Sequence, residues 1–207
     1  RNFCNKNKRQ DERGRQIKVM SDIKFLKEYF ASLKELLNNE NYFEDLVRVK
    51  EILKKTHSQG KKTMIFGNGG SAAIASHFSV DLTKNARVRC TNYNESDLLT
   101  CFSNDYGYER WVEKAIDFYG DEGDSLILIS AGGNSPNMTN GAKHAKKKKI
   151  KTIITFTGND KNNNLTKHGD INFWVNSKAY NHIENVHQIL LLSLVDLIIG
   201  KTEYPPN

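Results

Sequence analysis

The stretch Phe66–Phe78, FGNGGSAAIASHF, decides how this chain is read. The apolar run Lys62–Phe66 enters it, three glycines fill four positions, and a helix-like run, SAAIASHFSVDLTK, leaves it at Ser71. A strand that turns through glycines into a helix exposes backbone N–H groups at a helix N-terminus, where negative charge is favoured. No lysine follows the glycines, so this is not a Walker A loop. Gly67, Gly69 and Ala72 form a loose GxGxxA. The acidic residue that a dinucleotide fold places about 20 positions later is matched only by Glu95, which falls late and in a loop-like context. Alone, the stretch predicts an anion-binding turn and leaves the anion open.

A second junction narrows the reading. ISAGGNS, residues 129–135, also follows an apolar strand and precedes a helix, with paired glycines between serines. Working outward, strands are expected at Lys62–Phe66, Val88–Asn92, Ser125–Ser130, Thr152–Gly158 and Ile171–Val175. Helices are expected after each glycine turn, at Trp111–Tyr119, and from Asn181 to Ile199. Near-continuous apolar strands alternating with helices imply a largely parallel α/β sheet covered on both faces. Such sheets bind ligands beyond the carboxyl ends of their strands, where both turns fall. Two more helices precede the first strand. Ile23, Leu26, Phe30, Leu33 and Leu37 stripe one, over Ser21–Asn39. Phe43, Leu46, Val49 and Leu53 stripe the other, over Tyr42–His57. These stripes need cover from the domain or from a partner subunit.

At 207 residues the chain can bury a core without disulfides or metal. Cys4, Cys90 and Cys101 lack any CxxC spacing and read as free thiols in a reducing cytoplasm. No apolar run approaches the roughly 20 residues of a membrane span, and no apolar segment follows the basic start, so neither a span nor a secretion signal is expected. The net charge of +7 suggests nucleic acid, but residues 1–19 hold seven Lys/Arg against two Asp/Glu. The excess therefore sits mainly in a segment that reads as a flexible basic arm or a cloning remnant, and nucleic-acid binding is not expected. The run Lys143–Lys151 is placed at a helix end, where lysines complement the dipole. His57, His144, His168 and His182 are expected on solvated surface, and Trp111 and Trp174 in packing roles.

With both turns on the page, the chain resembles the sugar isomerase (SIS) domain family, and within it the phosphoheptose isomerases. The resemblance rests on GNGGSAA with His77, on NDYGYE (Asn104–Glu109), and on EGDSLILIS followed by GNSPN (Glu122–Asn137), and it spans roughly residues 41–199. It implies a single SIS domain over 61–200 with a five-stranded parallel sheet flanked by helices, a flavodoxin-like three-layer arrangement. It also implies oligomerisation helices over 20–60, a tail over 201–207, and a homotetramer with sites near subunit boundaries. The implied substrate is a sugar phosphate, sedoheptulose 7-phosphate, isomerised to D-glycero-D-manno-heptose 7-phosphate.

The resemblance assigns phosphate and substrate binding to Asn68, Gly69, Gly70, Ser71, Ser130, Ala131, Gly132 and Ser135, with Asp105 as a substrate-contacting acid. The family's second loop carries further hydroxyl residues where this chain has Ala131 and Gly132. Each lost donor to a charged oxygen weakens binding by roughly 1.5–3 kcal/mol. Moving a carbonyl between C1 and C2 needs a base and an acid. The resemblance offers Asp81 or Glu184 as base through an enediol, and His77 as acid. The family also binds zinc here, which would give His77, Asp81 and Glu184 as ligands, but its fourth ligand, a histidine, is replaced by Leu192. His187, one turn after Glu184, leaves a shifted metal site open. Two readings follow: an aldose–ketose isomerase, or a phosphosugar-binding regulator without turnover, of the kind that associates with the replication initiator DnaA as a tetramer.

Overall fold

A computed structural model describes residues 2–205, with side chains from Lys18 onward. The chain forms two compact units that divide between Asn39 and Glu40. The first is a single helix, α1 (Asn2–Leu37). It contains the helix expected from Ser21 and continues back through the basic start to Asn2. Cys4 and the basic side chains before Lys18 lie outside the described residues. Ile23, Leu26 and Phe30 on α1 are about half exposed or more.

The second unit begins with α2 (Asn41–Ser58). Its inward stripe is Tyr42, Leu46, Val49 and Leu53, while Phe43 is exposed. The expected stripe began one residue late, because Tyr42, four residues before Leu46, and Phe43, three before it, both keep a helical spacing to that leucine. The Tyr42 hydroxyl donates to the carbonyl of Trp174 (3.1 Å), and the Thr56 and Ser125 hydroxyls bond in the interior (2.7 Å). So α2, grouped by sequence with the first helix, belongs to the α/β unit.

Five strands follow: β1 (Thr63–Gly67), β2 (Cys90–Asn92), β3 (Ser125–Ser130), β4 (Thr152–Gly158) and β5 (Ile171–Val175). All pairings are parallel, in the order β2-β1-β3-β4-β5. Every residue of β1 and β3 is buried, as a sheet covered on both faces requires. On one face, Met64, Phe66, Leu126 and Leu128 meet Trp111, Val112 and Ile116 of α5 (Trp111–Tyr119) and Met138, Ala142 and Ala145 of α6 (Pro136–Lys147). On the other lie α2, α3 (Gly70–Lys84) and α7 (Tyr180–Ile199), with α3 packed along α7. Phe156 and Phe173 stack at 4.5 Å in this sheet.

Three placements differ from expectation. A helix, α4 (Ser96–Tyr106), and a 3-10 turn (Tyr108–Arg110) fill a region given no element by sequence; the apolar side of α4, Leu98, Leu99 and Phe102, is only partly buried against the core. His182 is buried on α7 rather than solvated. Finally, α7 is long and apolar enough to cross a membrane by length and composition, with mean hydropathy 1.3. Here it packs against α3, α2 and β4.

The strand order reverses between β1 and β3. This leaves a crevice at their carboxyl ends, the switch point where ligands bind in open α/β sheets. Both glycine turns leave the sheet there.

Candidate functional site: two glycine turns around one cavity

Gly67 ends β1 with no room for a side chain. A Cβ on it would lie 2.3 Å from the backbone of Ser71, so glycine lets α3 start this close to the strand. Gly69 adopts φ 54° and ψ −121°, outside the space of ordinary residues, and directs the chain into the first turn of α3. The second turn is built in parallel. Its Gly133, at φ 66°, donates its N–H to the carbonyl of Ser130 (2.9 Å). Ser135 caps α6 through its carbonyl, and Pro136 occupies the first helical turn, where a missing N–H costs nothing.

The two turns are joined directly. Asn68 and Asn137 exchange side-chain hydrogen bonds (3.1 and 2.8 Å), and the Tyr108 hydroxyl donates to Asn68 Oδ1 (3.1 Å). A third segment braces the second turn. Leu165 donates its N–H to the carbonyl of Gly133, and Asn164 donates its own to Asn134 Oδ1. Asn163, itself buried, fills the space a side chain on Gly133 would need.

Between the turns lies a cavity of about 410 Å³, lined by Asn68, Ser71, Ile129, Ser130, Ala131, Gly132, Asn134, Ser135, Asn159, Tyr180 and Glu184. The Ser130 and Ser135 hydroxyls stand 3.2 Å apart. Two helix N-termini, amides and hydroxyls converge here, and no Lys or Arg lines the wall. The arrangement suits an oxyanion held by dipoles and neutral donors. The one ionisable carboxylate on the wall, Glu184, reaches across from α7 to lie against Gly70, where any Cβ would meet it at 2.4 Å.

Seven of the twelve residues expected at the site line this cavity: Asn68, Ser71, Ser130, Ala131, Gly132, Ser135 and Glu184. Gly69 and Gly70 form the turn beside it. Asp105 does not reach the wall; it lies exposed near the end of α4, where its carboxylate meets Asn104 and Cys101. His77 and Asp81 lie farther along α3 and pair with each other (3.2 Å), and Asn85 holds the other oxygen of Asp81. Sequence reasoning did not give Asn159 or Tyr180 a role. Asn159 follows Gly158 at the end of β4 with φ 58°, and this strand–Gly–Asn junction was the available signal. Tyr180 opens α7 and carries no local signal.

Among the described residues no group of three His, Cys, Asp or Glu side chains is gathered as a metal site requires. His77 and Asp81 face each other, Glu184 lies against Gly70, and Leu192 supplies no donor. His187 does not replace it. It is fully buried edge-on to Phe156, and burial pushes its pKa down to about 4. The neutral ring donates Nε2–H to the carbonyl of Thr157 (3.0 Å), leaving Nδ1 buried without a partner. It ties α7, and so Glu184 one turn earlier, to the end of β4.

Comparison with known proteins agrees with this architecture. The family described as SIS domain matches residues 25–158. A phosphoheptose isomerase from Fusobacterium nucleatum is 30% identical over 193 residues, 91% of this chain and 98% of that protein. One from Buchnera aphidicola is 33% identical over 177 residues, covering 82% and 89%. The solved phosphoheptose isomerase from Neisseria gonorrhoeae superposes with a TM-score of 0.78 at 26% identity, over 84% of this chain and 98% of that one. On the matched residues and on the switch-point architecture, the chain belongs to the SIS domain family.

Proposed function

We propose that the protein binds sedoheptulose 7-phosphate and isomerises it to D-glycero-D-manno-heptose 7-phosphate. The carrying observation is that both glycine–serine turns and Glu184 line one cavity at the switch point. The identity with phosphoheptose isomerases over nearly the whole chain supports the choice of substrate.

In this reading the phosphate rests on the amides of Gly69, Gly70, Ala131 and Gly132, with the Ser71, Ser130 and Ser135 hydroxyls around it. The sugar chain extends along α3. Glu184 removes the proton from the carbon beside the carbonyl and returns it to the neighbouring carbon, through an enediol. His77, oriented by Asp81 as a carboxylate orients an imidazole in other proton-transfer pairs, passes the second proton between the two oxygens. Asp81 has both oxygens engaged, which favours Glu184 over it as the base. No metal is assigned to the reaction, because among the described residues no three donor side chains are gathered. Asp105 is placed as a contact to the sugar from a neighbouring copy.

We further propose a homotetramer in the cytoplasm. The exposed Ile23, Leu26 and Phe30 of α1, and Phe43 and Val47 of α2, supply apolar surface for it. Free thiols at Cys90 and Cys101 suit a reducing compartment.

The second reading, binding without turnover, is favoured by Leu192 and by the absence of His77 and Asp81 from the cavity wall. One assay separates the two. Incubation with sedoheptulose 7-phosphate yields heptose 7-phosphate if the first holds, and Glu184→Gln abolishes the yield. Binding with no product gives the second.

A further inference from the structure

The side-chain hydroxyls and the side-chain amide of the second turn are committed inside the protein. Ser130 and Ser135 bond each other. The Asn134 side-chain amide donates to the carbonyl of Gly132, and its oxygen accepts from Asn164. Asn68 is held by Asn137. Of the hydroxyls lining the cavity, two have no partner: Ser71 on one side, and the phenol of Tyr180 on the other.

Tyr180 is an odd residue to leave in this state. It opens α7, it is 59% exposed, and among the described residues it makes no ring contact or hydrogen bond. Its oxygen nevertheless stands over the second turn, 3.6 Å from where a Cβ on Gly132 would be. Gly132 itself has no positive φ, and that Cβ would meet nothing closer. The backbone therefore does not require glycine at 132. Its lack of a side chain leaves the space in front of the turn to the phenol.

We infer that Tyr180 is an additional phosphate ligand of this site, its O–H donating to an anionic oxygen held over Ala131 and Gly132. The inference rests on the phosphosugar reading. It explains how a turn with no side-chain donor at two central positions still receives a dianion. The donor comes from α7, across the cavity, instead of from the turn. A phenol O–H to a charged oxygen is a strong, short-range contact, and a rigid ring with two torsions loses little freedom in making it.

The test is calorimetric titration of the intact protein with sedoheptulose 7-phosphate and, separately, with inorganic phosphate. Tyr180→Phe removes only the exposed oxygen, so the unliganded melting temperature should not change. Affinity for both ligands should fall by about tenfold or more. Adding Gly132→Ser to Tyr180→Phe puts a hydroxyl in the space the phenol oxygen left, and should recover part of the loss. If the wild-type protein binds and Tyr180→Phe binds equally well, the inference is overturned and the phosphosugar reading stands. If the loss appears with sedoheptulose 7-phosphate but not with inorganic phosphate, the phenol contacts the sugar and the inference is again overturned. If the wild-type protein binds neither ligand, the reading itself fails and takes the inference with it.

Discussion

The two ends of the site are built differently. The anion end is mostly backbone: two turns, cross-linked by Asn68 and Asn137 and braced by the segment around Asn163. The reacting end is side chain: Glu184, and farther along α3 the half-exposed His77 paired with Asp81. A cradle of amides tolerates changed side chains, because Ala131 and Gly132 still present their N–H groups. Proton transfer tolerates none, because it depends on which atom carries the proton. The anion site therefore survives the changes at Ala131 and Gly132, and it is at the reacting end, where Leu192 departs most plainly from the pattern the chain resembles, that turnover has to be tested.

The contrast can be broken from the reacting end first. Glu184→Gln should lower turnover by about 10²–10⁴-fold while leaving sedoheptulose 7-phosphate affinity within a fewfold of wild type, read from initial rates beside a titration. A parallel collapse in affinity would mean that Glu184 belongs to the binding end. From the anion end, Gly133→Ala places a Cβ at 2.1 Å from Asn163 on a residue at φ 66°. It should destabilise the fold by several kcal/mol, on the order of a severe core overpacking plus backbone strain, seen as a large drop in melting temperature and loss of ligand protection. Asn68→Ala should cost less, about 1–3 kcal/mol for the unpaired buried Asn137 amide, and should weaken phosphate binding without changing how turnover depends on pH.

A smaller effect lies behind Glu184. The pKa of His187 is lowered in the fold by burial to about 4, from 6.5. Between those values the unfolded chain binds the proton and the folded one does not. The stabilisation is therefore complete above about pH 6.5 and is lost as pH falls toward 4, by at most about 1.4 kcal/mol per pH unit. Denaturant melts across that range should show the slope, and His187→Gln should flatten it. Smallest of all, a chelator such as EDTA should leave turnover unchanged, since no ligand set is gathered for a metal among the described residues; loss of activity that zinc restores would refute that.

The same contrast governs what the sequence disclosed. The strands were legible because buried parallel strands are continuous apolar runs between turn residues, as at Ser125–Ser130 and Thr152–Gly158, and because the edge strand Ile171–Val175 alternates buried and more exposed positions. Both turns were legible for the same reason, since glycine spacing is a local backbone requirement. Helix α4 was not, because its apolar side, Leu98, Leu99 and Phe102, is short and only partly buried. Nor was the wall opposite the turns. Tyr180 reaches the cavity only because α7 packs beside it, a tertiary fact without a local pattern, while Asn159 was marked only by the Gly–Asn junction that ends β4. The i,i+4 spacing of His77 and Asp81 correctly announced a pair on one face, but spacing along a helix carries nothing about how far that face lies from a cavity at the helix start.

The central claim is that both turns hold one phosphate group. Its most direct test is titration of the protein with sedoheptulose 7-phosphate and with unphosphorylated sedoheptulose, for the wild type and for Ser135→Leu. The account predicts binding of the phosphorylated sugar alone, lost in the variant although the variant remains folded. Equal binding of both sugars, or full binding of the phosphorylated sugar by Ser135→Leu, would contradict it.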